Sequence, residues 1–103
     1  MADPMKLRAS MHVDRVEVKI LMAHPEESGF RKGPDGSTVP AHFISNVTVQ
    51  HAGREVLRAQ WGPAISKNPF LQFAFCGAAR GDELTVTWID NLGETRTDRV
   101  TVA

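Results

Sequence analysis

Along residues 15–22, Val16, Val18, Ile20 and Met22 alternate with Arg15, Glu17, Lys19 and Leu21. A period of two sets one apolar row against a core and turns the other row outward, which is the signature of a half-buried β-strand. Further runs of the same kind occupy 44–50, 55–61, 70–76, 83–90 and 95–102, with a weaker one at 5–10. Seven short strands are therefore predicted. Ala52-Gly53 and Asn91-Leu92-Gly93 supply residues that tolerate positive φ at short hairpins, and 78–82 reads as another tight connection. Gly62-Pro63 and Asn68-Pro69 frame a more irregular crossing. No segment of comparable length has a helical period. Seven strands punctuated by turns in 103 residues suit an all-β fold, an immunoglobulin-like antiparallel β-sandwich rather than a small barrel, although the cysteine pair of antibody domains is absent.

The length predicts a single domain over residues 1–103, with one adequate core and little stability margin. One stretch does not fit a minimal sandwich. Residues 23–42 hold Pro25, Gly29, Gly33, Pro34, Gly36 and Pro40 with little apolar content, so a long loop or a hairpin excursion is expected after the strand at 15–22. Long loops on compact domains are often binding elements, and this one displays Glu26, Glu27, Arg31 and Lys32.

Charge narrows the partners. Lysines and arginines number 12, as do aspartates and glutamates; no net field draws the chain to nucleic acid or to an anionic membrane. The first residues lack a basic stretch followed by an apolar one, and no apolar run approaches the ~20 residues of a membrane span. Read literally, this describes a soluble cytoplasmic chain. The one cysteine, Cys76, cannot form an intrachain disulfide.

Candidate chemistry is sparse. Cys76 falls on the outward parity of its strand with Gln72 and Ala74, and no histidine or basic residue adjoins it to lower its pKa. A copper or zinc site would draw on His24, His42, Cys76 and, as an optional fourth, Met22, in a spacing that matches no recognised ligand pattern; histidines at the base of the loop bonded to backbone are the plainer reading. Five serines and four histidines come without a nucleophile elbow or a phosphate loop. Trp61 and Trp88 lie in the apolar phase of their strands and read as core or interface anchors. The run 59–71 is interrupted by Pro63 and Pro69, leaving Trp61, Ile65 and Phe70 to be buried somewhere, a partner surface being one such place.

That run stands together with Met22-Ala23-His24, Glu27-Ser28-Gly29-x-Arg31-Lys32, Pro40-Ala41-His42-Phe43-Ile44, and Gly81-Asp82 through Asp90-Asn91 to Arg96-Thr97-Asp98. In this ordered combination the sequence closely resembles the SoxZ family, the smaller subunit of the SoxYZ carrier complex of bacterial thiosulfate oxidation. The loop departs from the family's usual His-x-Met-Glu-Ser/Thr-Gly, since Pro25 and Glu26 follow His24, while Glu27 and Gly29 stay in register. The resemblance implies an immunoglobulin-like sandwich with no catalytic centre and no cofactor. It implies a SoxY partner in a heterodimer or higher assembly, whose C-terminal Gly-Gly-Cys-Gly-Gly arm carries the sulfur, and transient contact with other periplasmic sulfur-oxidation enzymes. The residues at the end of this sequence, Val100-Thr101-Val102-Ala103, offer no such arm. It further implies a periplasmic protein exported with its signal-bearing partner. On this reading Trp61, Pro63, Ser66, Asn68, Pro69 and Phe70 form an interaction segment, with His24, Glu27, Arg31, Lys32 and His42 contributing from the loop. The rival reading is a small metal-binding electron-transfer sandwich using His24, His42 and Cys76.

Overall fold

Each alternating run becomes a strand. A computed structural model describes residues 3–63 and 67–103, in which β1 (Lys6–His12), β2 (Arg15–Leu21), β3 (Ile44–His51), β4 (Arg54–Gln60), β5 (Phe70–Phe75), β6 (Glu83–Asp90) and β7 (Thr95–Thr101) follow one another. Among the described residues there is no helix long and apolar enough to cross a membrane. Ile65 and Ser66 lie outside the described residues.

The strands form a three-stranded sheet in the order β1-β2-β5 and a four-stranded sheet in the order β4-β3-β6-β7, antiparallel throughout. The chain therefore changes sheet after β2, after β4 and after β5, giving the two-layer immunoglobulin-like sandwich expected. Val16, Val18 and Ile20 from β2 meet Val47 and Val49 from β3 and Leu84, Val86 and Trp88 from β6, all with no solvent exposure. Ile44 joins them although it is three residues from Val47. A register shift between Ile44 and Asn46 resets the alternation there, as a bulge does.

The connections follow turn chemistry. Ala52 and Gly53 both have positive φ, 52° and 76°, which matches the right-handed twist of the β3–β4 hairpin. At the β1–β2 turn Val13 takes φ 61°, a strained value for a β-branched residue.

Residues 23–42 form the excursion hairpin. Glu27 and His42 exchange both backbone hydrogen bonds at 2.8 Å, and the Val39 N–H donates to the Arg31 carbonyl at 2.7 Å. Lys32 bridges Thr38 beyond them. Gly29 sits at φ 90° where a Cβ would come within 3.2 Å of the Ala41 Cβ, so a side chain there would both strain the backbone and crowd the opposite limb.

The two sides of the sandwich differ. On one side the residues after β7 bind β1: the Met11 N–H donates to the Ala103 carbonyl and the Ala103 N–H to the Ala9 carbonyl. On the other side, β4 and β5 are the edge strands of their respective sheets; the crossing leaves β4 at 61–63 and enters β5 from 67–69.

Candidate functional site

Three segments far apart in sequence converge at the end of the sandwich where the excursion begins. His24 follows β2, His42 precedes β3, and Asp90 ends β6. Asp90 shares the inward parity of Leu84, Val86 and Trp88 and is itself buried. One of its carboxylate oxygens, Oδ1, accepts the N–H groups of Leu92 at 3.0 Å and Glu94 at 2.9 Å, closing the β6–β7 hairpin. The other, Oδ2, meets Nε2 of His24 at 3.0 Å and Nε2 of His42 at 2.9 Å. Burial pushes the Asp90 carboxyl up, but the two imidazoles and the N–H groups of Glu94 and Leu92 favour the charged form, and the net direction is down.

His24 is held on every side. Its Nδ1 bonds the Pro25 carbonyl, and its ring meets the rings of His42 and Trp88 edge-on, with centroids 4.6 and 4.9 Å away. Its backbone is tied to the crossing, where Asn68 accepts the His24 N–H through Oδ1 at 3.0 Å and donates its own N–H to the His24 carbonyl at 2.9 Å. Asn68 takes φ 49° to do so, a conformation asparagine tolerates better than most residues. His42 is only partly covered, its side chain 29% exposed. The loop-base histidines are thus bonded chiefly to a carboxylate, where backbone partners were the plainer expectation.

Cys76 does not join them. It follows Phe75, which pairs with Val16, whereas Phe70 pairs with Leu21 on the His24 side. Six rises of about 3.3 Å each put Cys76 about 20 Å from Phe70, so His24, His42 and Cys76 cannot share one ion. This corrects the ligand set of the electron-transfer reading. Cys76 is free and exposed, as its parity predicted.

The excursion carries Glu27 and Arg31 as an ion pair, Nε donating to both carboxylate oxygens at 3.0 Å. The Arg31 guanidinium holds the Glu27 carboxyl below its ordinary value. Arg31 and Lys32 are exposed, and Phe30 on the same limb is 85% exposed.

The crossing divides. Trp61 packs partly buried against the core, and its N–H donates to the Ser45 carbonyl at 2.8 Å. Pro63 is exposed, whereas Pro69 is buried and its carbonyl accepts the Met22 N–H at 3.0 Å. Pro69 is thus buried within the fold, while Asn68 stays exposed with its backbone and side chain bonded to His24. Phe70 is 57% exposed and stands on the outer face of the three-stranded sheet beside Leu21, its cross-strand partner. Along the neighbouring edges, Val56, Leu57, Ala59, Leu71, Phe73 and Phe75 pack only partly buried against the core. An apolar strip therefore runs along the β4–β5 side as far as Trp61, with Phe70 on the adjoining outer face, and among the described residues neither of these strand edges is paired. Asp90 is the member of the His cluster that sequence reasoning missed; a carboxylate on the inward phase of a strand was its one signal.

Residues 5–101 match the SoxZ family, sulphur oxidation protein SoxZ. No curated protein sequence matches the chain. Among solved structures, the chain is similar to a superoxide reductase in the oxidized state, with 15% identity, TM-score 0.69, and 99% of this chain and 89% of that chain covered. It is also similar to superoxide reductase (neelaredoxin) from Ignicoccus hospitalis, with 16% identity, TM-score 0.64, and 99% and 82% covered. A third, from Archaeoglobus fulgidus in the reduced form, has 21% identity, TM-score 0.59, and 97% and 86% covered. Likeness at these identities establishes the shared fold.

Proposed function

The chain belongs to the SoxZ family of sulphur oxidation proteins, and from that premise we propose that it is the non-catalytic subunit of a SoxYZ-type carrier, binding a SoxY-like partner whose cysteine arm bears the sulfur intermediates of thiosulfate oxidation. The observation that carries this reading is the family match across residues 5–101. The fold supports it in one respect: the β4–β5 side offers what a protein partner needs, apolar side chains left half covered and strand edges free to pair. Trp61 and Phe70 are the aromatic anchors of that side, and aromatic residues are enriched among the few that dominate binding energy. Pro63 and Ser66 belong to the same proposed segment. Glu27, Arg31 and Lys32 extend from the sandwich on the excursion, where they meet the partner or the enzymes that visit it. The complex resides in the periplasm, exported with the signal-bearing partner.

Co-expression with a SoxY-like protein followed by native mass spectrometry tests the reading, and fractionation of the same cells tests the compartment. A one-to-one heterodimer or a multiple of it is expected in the periplasmic fraction. Phe70 is exposed, so Phe70→Ala leaves the fold intact, and it weakens the complex by about tenfold or more. Trp61→Ala weakens it further, with circular dichroism reporting whether the half-buried ring also costs stability. A chain that ignores the partner refutes the function; full affinity in the folded Phe70→Ala and Trp61→Ala variants refutes the surface.

A further inference from the structure

The hydrogen-bond arithmetic around His24 does not close for a neutral ring beside an ionised carboxylate. Nδ1 faces the Pro25 carbonyl oxygen, which only accepts, so Nδ1 carries the hydrogen. In a neutral ring Nε2 is then a lone pair. That lone pair faces Asp90 Oδ2 at 3.0 Å, another acceptor, and Nε2 of His42 converges on the same oxygen at 2.9 Å. A hydrogen or a cation belongs between them: a proton on the ring or on the carboxyl, or a metal ion.

Three features favour the ion. The three donor atoms lie within 4.8 Å of one another; ligands at about 2.0–2.2 Å around a tetrahedral zinc stand about 3.3 Å apart, so small outward shifts open the site. His42 is the partly exposed member and is free to make such a shift. The outer groups are those that orient metal ligands: a histidine whose second nitrogen donates to a carbonyl, and a carboxylate whose far oxygen is pinned by the N–H groups of Leu92 and Glu94.

We propose that His24 Nε2, His42 Nε2 and Asp90 Oδ2 bind one divalent transition-metal ion of the zinc type, leaving a fourth position open on the His42 side. Two imidazoles and one carboxylate suit zinc and cobalt(II) and give calcium or magnesium too few oxygens. The ion would fasten the end of β2, the base of the excursion and the end of β6 at one point. Through the His24 backbone it would also steady Asn68 and the crossing. Cys76, at the far end of β5, takes no part.

The test is titration of the chelator-treated full chain with zinc by calorimetry and with cobalt(II) by visible absorption. One equivalent per chain, tetrahedral cobalt bands and a raised melting temperature in zinc are expected. His42→Ala should lower zinc affinity by about tenfold or more, with His42→Gln as a second variant if the first is unfolded by circular dichroism, while Cys76→Ala binds as the unaltered chain does. Absence of stoichiometric binding, or binding that is undiminished in the folded His42 variant, overturns the site. Neither result bears on heterodimer formation, which is read separately.

Discussion

The β3–β6 ladder carries a histidine–aspartate pair at each end, and the two pairs are built differently. At one end His42 precedes β3 and Asp90 closes β6; at the other His51 closes β3 and Asp82 precedes β6. The distances are the same, 2.9 Å in both. The surroundings are not. The Asp90 side chain has no exposure and gathers two imidazoles and two N–H groups, while the Asp82 side chain is 40% exposed and gathers one imidazole and the Ala79 N–H. Separation alone does not rank such pairs. What ranks them is how many donors would be stranded out of water if the carboxylate were lost, because a buried unpaired donor costs far more than a solvated one.

Asp90→Ala should be the most damaging of these changes. It strands the His24 ring inside the protein and frees the two N–H groups that shape the β6–β7 turn, for a loss of about 3 kcal/mol or more by analogy with breaking one half of a buried pair. Urea unfolding followed by tryptophan fluorescence measures it, since Trp88 lies beside His24. A loss under about 1 kcal/mol, the size of an ordinary exposed contact, would show that the cluster is not the latch its burial implies.

Acid should separate the ends next. The folded-state pKa of Asp90 lies below its ordinary 3.8, so the stability it contributes is fully present above that value and disappears as pH falls through the folded pKa. Asp82 and Asp98 shift in the same direction and add to the same slope. Subtracting the curve of Asp90→Asn from that of the unaltered chain isolates the Asp90 part, expected as a difference that shrinks below pH 3.8. Parallel curves across that range would contradict a depressed Asp90.

Alternation made the sheets legible. Glu83–Asp90 and the other strands end within two residues of where period-two patterning puts them, because in each run one face is buried and a register slip would expose it. The excursion was visible through its prolines and glycines, but its pairing was not, since two limbs joined by single bridges such as Lys32 with Thr38 impose no alternation. His24 and His42 stood out as the residues at its base. Asp90 did not, because its neighbours Asn91 and Gly93 make it read as a turn residue, and nothing local links it to a histidine 66 positions away. The β4–β5 side was legible only at its crossing. Val56, Leu57 and Phe73 look like core positions in sequence, and that they remain half covered follows from both strands being sheet edges, a fact of topology.

The smallest change is expected at the open end. Asp82→Ala removes the acceptor for the His51 ring and the Ala79 N–H, yet the Asp82 side chain borders solvent, so water replaces the carboxylate at the N–H and reaches the edge of the imidazole. The turn itself persists, because the Asp82 N–H still donates to the Ala79 carbonyl and the Val102 N–H to the Asp82 carbonyl. The shift in urea midpoint should therefore be a small fraction of that for Asp90→Ala. Should the two prove equal, His51, whose side chain is only 11% exposed, would be as stranded as His24, and the histidine's burial rather than the carboxylate's would be the quantity that sets the cost.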